Sequence, residues 1–105
     1  MKINDVTFEF NSTTLEGIEA MENAFKATEG IRKSADAAID DGNLVAGAKL
    51  SIQANREFFK TLVGVDVVGD CNSPILAGIF LESFNKQCEE QKRKLREEYF
   101  KRDLK

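Results

Sequence analysis

Residues 73–105 read SPILAGIFLESFNKQCEEQKRKLREEYFKRDLK. Ser73 before Pro74 is a helix start: the serine oxygen can accept from a free backbone N–H, and the fixed φ of proline suits a first turn in which its missing N–H costs nothing. The helix that Pro74 opens has two halves. Between Ile75 and Phe84 the large apolar residues Ile75, Leu76, Ile79, Phe80, Leu81 and Phe84 crowd together. Such density predicts contact on more than one side of a helix. After Cys88 the chain turns to charge, EEQKRKLREEYFKRDLK, broken only by Leu95, Tyr99, Phe100 and Leu104. Glu89–Arg93, Glu90–Lys94, Glu97–Lys101 and Glu98–Arg102 have the acidic-then-basic i,i+4 order that supports a helix in water. One long helix over 74–103 is therefore expected, with a core-forming start and a charged distal arm. Phe84, Cys88, Gln91, Leu95 and Tyr99 share helical spacing, so a narrow apolar seam continues into the arm. The arm either projects toward a partner helix or a second copy, or folds back over the first helix.

Working back from Ser73, the run LVGVDVVGDCNSP (62–74) holds two glycines, two aspartates and a cysteine. It has the look of a site. Its aspartates have no ligand company at metal spacing, however, and the run reads as a stiff, partly buried turn that aims the last helix. A helix over 44–63 precedes it, marked by Val45, Ala48, Ile52, Asn55, Phe59 and Leu62 and ended by Gly64. Before that, residues 13–41 carry the stripe Ile18, Met21, Phe25, Thr28, Ile31 or Arg32, Ala35 and Ile39. Thr13 and Glu16 have capping-box spacing, and Gly30 marks a candidate kink or break. Asp40-Asp41-Gly42-Asn43 is a turn; it lacks the later oxygen ligands of a calcium loop. In residues 1–10, Val6, Phe8 and Phe10 alternate with polar residues, and Asn4-Asp5 can turn a tiny hairpin. The fold class is mainly α with a small N-terminal β-hairpin: a three-helix bundle-like body with a long C-terminal helix, in one domain over 1–105.

Composition narrows the function. The chain has 105 residues, no histidine, two cysteines and a formal net charge of −3. Without histidine the usual triads and most acid–base schemes are excluded, and neither a GxxxxGK[ST] nor a GxGxxG stretch is present. No metal site or cofactor is expected, and a binding role is expected in place of an enzyme. Cys71 and Cys88 are too far apart along a continuous helix to pair, since a disulfide needs Cα atoms within about 7 Å. No apolar run reaches the roughly 20 residues of a membrane span, and the acidic, alternating start is unlike a secretory signal, so a cytoplasmic protein is expected. From Lys86 onward basic residues outnumber acidic ones by three, leaving the body at about −6. The overall negative charge disfavours nucleic acid as the partner. A partner surface is expected on Phe58, Phe59, Leu95, Tyr99 and Phe100, with Lys92, Arg93, Lys94 and Arg96 steering.

The order of KINDVTFEF (2–10), a long acidic first helix, REFFKTLVG (56–64), a Gly-containing loop and ILAGIFLESFNKQCEEQK (75–92) resembles small proteins of tailed phages and prophages of Gram-positive bacteria. Their genes lie around the tail tube and tape measure. The resemblance runs to about Gln91 and rests on apolar spacing; the charged arm is longer than that family's pattern. It implies a tail-assembly chaperone or accessory morphogenesis protein in the host cytoplasm, binding the helical tape measure or the tail-tube protein. The alternative is a small phage regulator or host-defence antagonist that occupies a host protein or sequesters a small signalling molecule.

Overall fold

The computed structural model describes residues 1–103, and Leu104 and Lys105 lie outside it. The element order is β1 (Lys2–Ile3), β2 (Val6–Thr7), α1 (Leu15–Asp40), α2 (Leu44–Val63) and α3 (Pro74–Asp103). The strands pair antiparallel, Lys2 with Thr7 and Ile3 with Val6. Asn4 and Asp5 make the two-residue turn at φ 51° and 60°, a left-handed conformation these two residue types tolerate. The hairpin is tied to the body: Asn4 Nδ2 donates to the Val67 carbonyl at 2.8 Å, and Gln87 Nε2 donates to that of Lys2 at 3.0 Å.

α1 and α2 form an antiparallel pair with small residues between them. The buried positions of α1 are Gly17, Ala24, Thr28 and Ala35, and α2 answers with Gly47, Ala54 and Asn55. The large residues flank this contact, and Ile18 and Phe25 are about half exposed. The expected stripe is therefore rotated toward small residues that let the backbones approach. A Cβ on Gly47 would sit 2.5 Å from Ile39 Cγ1 and 3.2 Å from the Ala35 carbonyl oxygen. Arg32 reaches across the pair to donate to Asn55 Oδ1 at 3.0 Å.

Two local expectations are corrected. The N-cap of α1 is Thr14, whose side chain accepts from the Gly17 N–H at 3.1 Å; Thr13 instead bonds to Asn11 Oδ1 through its N–H and hydroxyl. Asn11 offers its carboxamide oxygen two residues ahead, and this local turn captures Thr13 before the helix begins. Gly30 does not break α1, which runs through it as one helix. An exposed glycine lowers helix propensity by only about 1 kcal/mol, and packing on both sides of it holds the helix.

The core lies where α2, the hairpin and the first half of α3 meet. Phe58 and Phe59 stand edge-on to each other at 5.5 Å, and each is edge-on to Phe84, at 5.6 and 6.0 Å. Phe8, Phe10 and Phe25 close around them. The 62–74 run is a structural turn: Val67 and Val68 are fully buried. Arg56 donates to the Gly69 carbonyl at 2.6 Å and pairs with Asp66 at 3.5 Å. Ser73 caps α3, its hydroxyl accepting from the Leu76 N–H at 3.2 Å.

Candidate functional site

α3 is a helix of 30 residues, about 45 Å long at 1.5 Å per residue. It packs on α2 and β1 and does not run along α1. Its core side carries Ala77, Phe80 and Phe84, then the half-buried Cys88 and Gln91. Burial lifts the Cys88 thiol above its ordinary range, against a smaller opposing effect of a hydrogen bond with Ser12. From Lys92 to Arg102 every residue is exposed. The arm therefore projects and does not fold back.

Gln91 marks the foot of the arm. Its Oε1 accepts from the Ser12 N–H at 2.9 Å and the Ser12 hydroxyl at 2.8 Å, while its Nε2 donates to the Phe10 carbonyl at 2.6 Å. This one side chain clamps the strand-to-helix connection onto α3. Sequence reasoning missed it, because Ser12 and Gln91 carry no local signal of their meeting. Beside the clamp is an open recess of about 330 Å³, edged by Asn11, Thr13, Lys94, Leu95 and Glu98.

Beyond the foot, Leu95 is 52% exposed, Tyr99 59% and Phe100 60%. At 100° per residue Leu95 and Tyr99 lie within about 60° of the direction of Phe84. The core stripe of α3 thus runs on into solvent. Tyr99 and Phe100 meet edge-on at 5.7 Å, with Phe100 turned away from the seam. Phe58 and Phe59, expected on the same partner surface, are wholly buried and belong to the core. They sit where α2 meets α3 and the hairpin, so no partner can reach them in the folded chain.

The charges of the arm differ from the expected i,i+4 pattern. Arg93 bridges Glu90 and Glu97, the latter at 2.6 Å, and Lys92 pairs with Glu89 at 3.4 Å. None of the four acidic-then-basic pairs closes to a salt bridge among the described residues; Arg93 instead takes Glu90 and Glu97 from one face at once. Its guanidinium is held more firmly charged by Glu90 and Glu97, and the Glu90 carboxyl is held below its usual range by Arg93. Lys94 and Arg96 form no ion pair among the described residues. They flank Leu95 on either side, about 100° away in each direction. Lys94 and Arg96 therefore place positive charge on either side of the seam.

Among the described residues, no group of cysteines and carboxylates is placed to hold a metal ion, and no helix is long and apolar enough to cross a membrane. No protein-family model matches the chain, and neither a curated protein nor a solved structure matches it.

Proposed function

We propose that this protein is a non-enzymatic assembly factor of tailed-phage morphogenesis, a tail-assembly chaperone or accessory protein that holds the helical tape measure protein in the host cytoplasm. The observation that carries this reading is the projecting arm of α3, whose apolar residues Leu95 and Tyr99 face solvent between Lys94 and Arg96. A narrow apolar seam with flanking charge suits the face of another amphipathic helix, which buries its own stripe and keeps its polar side wet. The tape measure is long and helical, and its exposed stripes need covering before the tail tube encloses them. Lys94 and Arg96 favour acidic stretches of such a helix and speed the encounter at low salt.

Co-expression with tape-measure fragments tests the proposal. A soluble complex is expected, and Leu95→Asp with Tyr99→Asp should abolish it while leaving the free protein folded. A full-length chain that forms no complex and gives the fragments no gain in solubility overturns the reading.

A further inference from the structure

The hairpin has two outer edges, and the fold closes only one of them. Met1 and Phe8 exchange ladder bonds: the terminal amine donates to the Phe8 carbonyl at 2.6 Å, and the Phe8 N–H to that of Met1 at 2.9 Å. In an antiparallel pair the bonding residues alternate along each strand, so Lys2 and Thr7 turn their backbone groups outward. On the β1 side the Lys2 carbonyl takes the Gln87 amide of α3 at 3.0 Å. On the β2 side Thr7, and Glu9 two residues on, present N–H and C=O groups to which nothing bonds among the described residues. Both residues are exposed, while Phe8 between them is buried.

This open edge leads into a hollow of about 420 Å³ between Glu9–Asn11 and the first turns of α1. Ala20, Leu62 and Val63 give it an apolar wall, and the exposed Glu9 and Glu16 give it charge. Its lining holds these two carboxylates and no cation. The nearest basic groups are otherwise engaged: Lys2 lies 4.0 Å from Asp5, and Lys94 lines the separate recess at the foot of the arm. At its far end the hollow stops where the Asn11 carbonyl meets Gly17.

From this geometry we infer that the free edge of β2 accepts an extended segment of a partner protein as a third strand, one in which apolar residues alternate with lysine or arginine. Backbone pairing at Thr7 and Glu9 holds the segment. Its apolar side chains turn inward beside Phe8 and Phe10, toward Ala20 and Leu62, and its basic ones turn outward beside Glu9. The surface is separate from the α3 arm and takes a strand in place of a helix. It therefore stands independently of the tape-measure reading.

The test uses the full chain, isotope-labelled, and a capped six-residue peptide of alternating valine and lysine. Titration should shift the Thr7 and Glu9 amide resonances and slow the hydrogen exchange of both. A fully N-methylated form of the peptide, with the same side chains and no donors, should leave them in place. An alternating valine–glutamate peptide should do the same. Glu9→Lys, at an exposed position, should weaken binding of the valine–lysine peptide about fivefold, as a cross-strand attraction becomes a repulsion. Thr7 and Glu9 amides unmoved at millimolar peptide, an equal response to the N-methylated form, no preference for lysine over glutamate, or undiminished binding by the Glu9→Lys chain each overturns the inference.

Discussion

Gly17 shows how one missing side chain can decide a packing arrangement. A Cβ there would lie 1.8 Å from the Asn11 carbonyl oxygen, and that oxygen belongs to the backbone segment held down by the Gln91 clamp. Neither side can move freely. Gly30 is the opposite case, an exposed helical glycine with nothing within 4 Å of an added Cβ. Urea denaturation should therefore separate two identical substitutions in one helix. Gly17→Ala is expected to destabilise by about 1–3 kcal/mol or more through overpacking. Gly30→Ala is expected to stabilise by about 0.5–1 kcal/mol through helix propensity. Equal effects would mean that the backbone leading into α1 is loose.

At the level of the element, α3 is two structures on one helical axis. Its first half is held by burial: Phe84 is 1% exposed and in ring contact with Phe10, Phe58 and Phe59. Its second half has only intrahelical hydrogen bonds and surface ion pairs to hold it, and exposed pairs contribute little. The division falls at Gln91, the last residue that bonds to another element. Ending the chain after Gln91 should therefore leave the thermal midpoint of the body within a few degrees of the full chain, while removing helical signal in proportion to the lost arm. A large fall in the midpoint would show that the arm supports the body after all.

For the molecule as a whole, shape is the main consequence. Its principal extents are 60 × 25 × 21 Å and its Cα radius of gyration is 16.1 Å, against about 13 Å for a compact domain of this length. X-ray scattering at dilute, monomeric concentration should return a value near the larger figure, and removing the arm should bring it toward the smaller one. A compact particle from the full chain would contradict a projecting α3. Such a shape leaves a modest core and a long exposed seam.

Much of this architecture is legible from local chemistry. Ser73-Pro74 starts α3, Gly64 ends α2 in the left-handed conformation at φ 72°, and Asn4-Asp5 turns the hairpin. Each depends on neighbours in the chain, which is why sequence alone determined them. Residues with no such local cause were decided by tertiary structure. Phe58 and Phe59 are apolar in any reading, yet only the crossing of α3 over α2 makes them core and removes them from the partner surface. The small-residue seam of α1 and α2 was hidden because alanine and glycine carry little hydrophobic signal; their value lies in the close approach that another helix makes to them. The direction of the arm belongs to the same class. Leu95 and Tyr99 have the spacing of a buried stripe, and only the absence of a neighbouring element beyond Gln91, among the described residues, leaves them exposed.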